Sequence, residues 1–230
     1  MIRTRRVIPH LFAQWDRIAR RIREKKRLVM FLDFDGTLVR IAPMPTGVRL
    51  EDETRGILRK LAGRRNVTFA VISGRQRAEL QRYVGIRNLK YLGLYGWESK
   101  GNQRVPFPVR LALVRTLVSL LAELPSYPGV WIEPKRSSFS VHLLGASAET
   151  QRQMRRQVRK RVRPLRETLR LMSNLRDVEV APISIGDKGA AARKGITILV
   201  GKRRTTQAQF SLRGPAEVAA ALSRMGEIIR

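Results

Sequence analysis

The chain has 230 residues, 43% of them hydrophobic, no cysteine, and a formal net charge of +29. The missing cysteines exclude disulfides, thiolate metal sites and a cysteine nucleophile, and the longest apolar runs are far too short to cross a bilayer. A charge of this size attracts polyanions, whether nucleic acid, an anionic membrane surface or phosphorylated metabolites, although the excess of arginine over lysine also fits a compositional habit.

The basic N-terminus, MIRTRRVIPHLFAQW, leads into no apolar h-region, so a cytoplasmic protein without a secretory signal is expected. Residues 10–26 place Leu11, Trp15, Ile18 and Ile22 on one helical face, with arginines opposite. The run Leu28–Leu32 has no polar alternation and predicts a strand buried on both faces. Residues 52–62 predict a helix with Ile57, Leu58 and Leu61 on one face and Gly63 as its stop. A second strand, VTFAVIS, ends at Ser73. A short helix follows around Leu80 and Val84, then a third strand in KYLGLYG, 90–96. Strands and helices in alternation predict an α/β fold, whose ligands sit beyond the carboxyl ends of the strands.

From about residue 107 the texture changes. RLALVRTLVSLLAEL is an amphipathic helix, GVWIEPKRSSFSVHLLG reads as two strands around a Lys-Arg-Ser-Ser turn, AETQRQMRRQVRKRV is a helix, and LRLMSNLRDVEV is a second strand pair. This is a small α+β layer inserted in the core. The chain then returns through PISIGDKGAAARKGITILVG, with ITILV as a strand, and ends in the helix PAEVAAALSRM. The expected divisions are 1–106 for the first part of the core, 107–181 for the insertion, and 182–230 for a shortened second part.

The stretch VMFLDFDGTLVRI, residues 29–41, carries the chemistry. Asp33 and Asp35 are two residues apart in an extended chain, so their side chains leave on the same side. Gly36 and Thr37 allow a sharp turn just beyond them. Two carboxylates at a strand end can hold Mg²⁺, a hard cation that takes oxygen ligands, or act as nucleophile and general acid/base.

FLDFDGTL resembles the first signature of the haloacid-dehalogenase-like (HAD) phosphatases, VISGR (71–75) the second, and GDKG (186–189) the third. The narrower features SGR, GLYGWE at 93–98 and GVWIEPKRSSFSVH at 129–142 resemble the trehalose-6-phosphate phosphatase family, as does the tail GITILVG…TTQAQFSLRGPAEVAAAL. The resemblance implies a Rossmannoid parallel-sheet core with an inserted α+β cap, and hydrolysis of a sugar phosphate through an aspartyl-phosphate. Asp33 would be the nucleophile and Asp35 the general acid/base. Both would serve the Mg²⁺ site, Asp35 through its backbone carbonyl. Ser73, Gly74 and Lys188 would hold the phosphate, and Glu133, Lys135, Ser138 and His142 the sugar. The family continues His-Tyr-Arg where this chain has His142, Leu143 and Leu144.

The superfamily's fourth signature, an acidic cluster completing the magnesium shell, has no counterpart. After Lys188 the only acids are Glu217 and Glu227. An incomplete Mg²⁺ site and reduced turnover are therefore expected, with the GITILVG strand either moved beside the Asp33 strand or leaving a gap. Two rival readings stand beside the enzyme: a non-catalytic remnant, and a basic sugar-phosphate- or polyanion-binding protein. RRQVRKRVRPLR (155–166) reads as a solvated helix face, with Met154, Val158 and Val162 packing inward. The high charge alone predicts non-specific, salt-sensitive binding of nucleic acid.

Overall fold

In a computed structural model that describes residues 8–42, 47–100, 105–173, 176–185, 195–201 and 207–229, the chain divides into two units. One comprises residues 1–99 and 187–230, the other residues 100–186.

The first unit is built on three parallel strands, β1 (Leu28–Asp33), β2 (Val67–Ile72) and β3 (Lys90–Leu92), in the order β1-β2-β3. Helices α1 (Trp15–Arg23), α2 (Asp52–Ala62), α3 (Arg77–Val84) and, at the C-terminus, α6 (Pro215–Ile228) belong to the same unit. Helix α2 opens with Asp52 and Glu53, whose charges suit the positive end of the helix dipole, and buries Thr54, Leu58 and Leu61. Leu58 and Val71 are fully buried, each adding about 2 kcal/mol of apolar burial.

Strand β1 departs from expectation. Leu28, Met30 and Leu32 pack on the core, but Val29 and Phe31 are 57% and 43% exposed. A continuous apolar run signals burial on both faces only when both are covered. Among the described residues, nothing shields the outer one enough to bury it.

The third strand is also shorter than expected. Beyond Leu92 the chain turns through a 3₁₀ segment, Leu94–Lys100, in which Leu94 and Tyr95 take positive φ. There Leu94 N–H donates to the Arg75 carbonyl at 2.9 Å and Tyr95 N–H to that of Ser73 at 2.8 Å, so tertiary hydrogen bonds replace the ladder. Gly93 is required at this bend, because a Cβ would lie 2.3 Å from the backbone nitrogen of Arg77.

Of the two arrangements expected for GITILVG, the strand does not join β1. Strand β8 (Ile198–Val200) pairs in parallel with β9 (Phe210–Leu212), a strand that the sequence reading did not identify. His10 bridges to Ser211 on β9. Among the described residues, β1 is thus an edge strand, with β2 its only ladder partner.

The second unit is a four-stranded antiparallel sheet, β4 (Trp131–Pro134), β5 (Phe139–His142), β6 (Leu169–Ser173) and β7 (Asp177–Pro182), in the order β4-β5-β7-β6. Period-two alternation gives the sheet two unlike faces. Phe139, Val141, Val178 and Val180 form a buried cluster with residues of α4 (Phe107–Glu123) and α5 (Ala148–Val162). The face opposite carries Trp131, Glu133, Ser140, His142 and Glu179. Ser147 caps α5 by accepting from Thr150 N–H at 3.1 Å. Met154, Val158 and Val162 are buried, as their spacing predicts, and most of the arginines of α5 lie outward. No described helix is long and apolar enough to cross a membrane.

Candidate active site

The ladder between β1 and β2 sets Asp33 opposite Ile72, so Ser73 follows at the same end of the neighbouring strand. Past Asp33 the backbone folds sharply. Asp33 Oδ1 accepts from Phe34 N–H at 2.8 Å, Gly36 takes φ +82°, and Gly36 N–H donates to the Val39 carbonyl at 2.8 Å. A left-handed φ at that position favours glycine.

The turn brings Asp35 to the end of β2. Ser73 Oγ donates to Asp35 Oδ2 at 3.4 Å. Arg75 grips the same carboxylate from two nitrogens, Nε at 2.9 Å from Oδ2 and Nη2 at 2.8 Å from Oδ1. The same guanidinium also bonds Glu79, one helical turn on, and lies over the rings of Phe34 and Tyr83, 5.5 and 5.3 Å from their centroids. Burial works against the Arg75 charge, but Asp35 and Glu79 outweigh it and hold the pKa above the ordinary arginine value. Arg75 N–H donates to Ser73 Oγ at 3.2 Å, so one residue positions both the hydroxyl and the acid. Gly74 is buried in the turn between them. Lys188 lies outside the described residues, as does the whole GDKG signature that contains it.

The GLYGWE pattern supports this arrangement from below. Glu98 Oε2 accepts from Arg77 N–H at 2.5 Å, the first residue of α3, and so satisfies one of the helix's free donors beside the dipole's positive end.

Glu133, Lys135, Ser138 and His142 belong to the second unit, and all have the parity of its polar sheet face. His142 Nε2 lies 2.8 Å from Glu133 Oε2, and the imidazole stacks on Trp131 with centroids 3.8 Å apart. Ser138 Oγ donates to Glu179 Oε1 at 2.8 Å, with Lys135 Nζ 3.5 Å from the same oxygen. Glu179 is only 3% exposed. Leu143, in place of the family's tyrosine, is buried, whereas Leu144, in place of its arginine, is half exposed.

Sequence reasoning missed three residues, Arg75, Glu79 and Glu179. Arg75 and Glu79 are four apart, the spacing of a helical ion pair. Glu179 stands between Val178 and Val180, an acid in an apolar strand, and strand alternation marks it as facing away from the core.

Magnesium asks for oxygen ligands in octahedral array. At this strand end the described residues offer the Asp33 carboxylate and the Asp35 carbonyl, because the Asp35 side chain is engaged by Arg75 and Ser73. Among the described residues, no group of three or more histidines and acids is placed to hold an ion. Among the described residues, this donor set does not complete a magnesium shell.

Comparison with known proteins agrees with the α/β architecture. The profile of the trehalose-phosphatase family matches residues 31–212. Probable trehalose-phosphate phosphatase 4 of Oryza sativa subsp. japonica is 26% identical over 267 aligned residues, covering 95% of this chain and 71% of the relative. Since the alignment is longer than this 230-residue chain, the rice protein carries segments without a counterpart here. The trehalose-phosphate phosphatase of Mycobacterium bovis (strain BCG / Pasteur 1173P2) is 30% identical over 169 residues, 70% of this chain and 41% of that protein. Among solved structures, the C-terminal domain of C. albicans trehalose-6-phosphate phosphatase superposes with a TM-score of 0.79 at 16% identity, over 97% of this chain and 100% of that one. That likeness shows the fold, an α/β core of the HAD type with a cap. With three of its sequence signatures in place and its profile matched over most of its length, the chain belongs to the trehalose-phosphatase family.

Proposed function

We propose that the chain hydrolyses the phosphate ester of trehalose 6-phosphate through an aspartyl-phosphate on Asp33, more slowly than relatives that have the fourth acidic signature. The observation that carries this reading is the meeting of Asp35 and Ser73, 3.4 Å apart, at the ends of two adjacent parallel strands, one of which ends in Asp33. The names of the relatives that the chain resembles support the substrate.

In the first step an Asp33 oxygen attacks phosphorus. The bond to the sugar oxygen breaks, and Asp35, entering as the acid, gives that oxygen its proton. In the second step water attacks the phosphorus, Asp35 takes the water's proton, and phosphate leaves with the Asp33 carboxylate restored. Ser73 Oγ, Gly74 and Lys188 would hold the phosphoryl oxygens. Glu133, Lys135, Ser138 and His142 would hold sugar hydroxyls, with Glu179 fixing Lys135 and Ser138.

Two features slow this cycle. With only Glu217 and Glu227 downstream of Lys188, Mg²⁺ would be held chiefly by water, and metal shielding of a phosphate dianion is worth several kcal/mol. The Asp35 oxygens are also occupied by Arg75 and Ser73, so one of those bonds must open before Asp35 can carry a proton to the sugar.

The test is phosphate release from trehalose 6-phosphate with Mg²⁺, alongside a thermal-shift titration with the same ligand. Slow release that disappears in Asp33→Asn is the expected result. Rates equal to those of relatives with the full acidic cluster would refute the impairment. Ligand-induced stabilisation without release would leave the non-catalytic reading in its place, and neither release nor stabilisation would overturn the substrate.

A further inference from the structure

Helix α4 is apolar on two sides, and its own unit uses only one of them. Leu113, Thr116 and Leu120 are buried. Phe107, Leu111, Val114, Val118 and Leu121 remain 64%, 36%, 47%, 58% and 41% exposed. Scattered exposed apolar residues are ordinary, but an unbroken row of five is a docking signal.

The row has a period. Its steps are four, three, four and three residues, the spacing of a seam on which a second helix packs with its side chains between those of the first. The residues bordering the seam identify that helix. Arg110 and Arg115 flank it, both exposed and neither with an acidic partner among the described residues. Glu123, the single acid of α4, faces α5 and bonds Arg161. A second copy of this chain laid antiparallel across Val114 would bring Arg115 against its own counterpart, between two proteins of charge +29. Like charges across a seam oppose pairing.

We infer that the outer face of α4 docks an amphipathic helix of a partner protein, apolar at the same four-three spacing and bordered by aspartates or glutamates that meet Arg110 and Arg115. This inference does not depend on the phosphatase reading, since no seam residue belongs to the proposed site.

The experiment uses the full chain and a fluorescent synthetic helix of about four heptads, leucine at the seam and glutamate beside it. Its own glutamates repel and keep it from self-pairing. In anisotropy titrations this peptide is expected to bind at least about tenfold more tightly than a scrambled peptide of identical composition or a version with lysine for glutamate. The double variant Val114→Asn, Val118→Asn should lose about tenfold in affinity with an unchanged melting temperature, because both side chains are already half exposed. Arg110→Glu with Arg115→Glu should reverse the preference toward the lysine peptide, which keeps the test valid if the first variant folds poorly. Equal binding of the scrambled peptide would reduce the effect to bulk charge and overturn the inference. A concentration-dependent dimer by sedimentation, dispersed by the double asparagine variant, would also overturn it by making a second copy the occupant.

Discussion

The two units hold their polar residues by opposite means. In the core, Asp33, Asp35 and Ser73 stand where strands end, and one guanidinium ties the second acid to the serine's strand and to Glu79 on α3. In the cap, Glu133, Ser140, His142 and Glu179 stand within strands, and the ladder register alone puts them on one face. The first arrangement depends on turn geometry and on a paired buried charge. The second depends on parity, since a one-residue slip would send every one of these side chains into the apolar cluster. The core site should therefore be sensitive to loss of its shared guanidinium, while loss of a single neutral hydroxyl from the cap face should be tolerated better.

The largest expected effect is chemical. Asp33→Asn should remove all measurable phosphate release, a loss of at least about 10³-fold, because an amide is no nucleophile toward phosphorus. Its unfolding midpoint should move little. A second prediction addresses the contrast directly. Arg75→Ala leaves Asp35 and Glu79 without their common partner, and should cost about 2–3 kcal/mol in urea unfolding, after allowance for the partial exposure of Asp35. In the cap, Ser138→Ala removes one hydrogen bond from Glu179, which keeps Lys135, and should cost only about 1 kcal/mol. If the two losses prove equal, the contrast between the units fails.

The smallest effect is a pH dependence carried by a carboxylate that is not among the proposed site residues. Glu217 is held below its ordinary pKa of 4.5, first by the Arg213 N–H and then by His10. A carboxylate with a lowered folded-state pKa stabilises the fold above its unfolded value and stops doing so as pH falls through the folded one. Glu217 should thus contribute at pH 5 and above, and its contribution should fade below about 4.5. Glu217→Gln should flatten acid unfolding in that range and leave stability at neutral pH slightly lower. A variant whose acid unfolding matched the parent's would remove Glu217 from the account.

Much of the fold was legible because local patterns and tertiary packing agree. The apolar run ending at Ser73 became β2, and the spacing of Met154, Val158 and Val162 became the buried stripe of α5. The unread parts are those in which distant residues decide. KYLGLYG looks extended throughout, yet it leaves the ladder after Leu92 because hydrogen bonds to Ser73 and Arg75 are available. Phe210–Leu212 is too short to stand out, and it exists as a strand because β8 and residues 9 and 10 offer it partners. The grip of Arg75 on Asp35 spans 40 positions, beyond the reach of any periodicity.

Alone, the amino-acid order determined which candidate residues stand at strand ends and that the acids of the fourth signature are missing, because residue types and short spacings are local properties. Tertiary structure decided which groups meet: Asp35 with Ser73 and Arg75, and Glu179 with Ser138 and Lys135. It also decided which apolar residues stay in water, Val29 and Phe31 on β1 and the outer seam of α4. Hydrophobicity in a sequence says what would gain from burial, and only the packing of the whole chain settles whether something covers it.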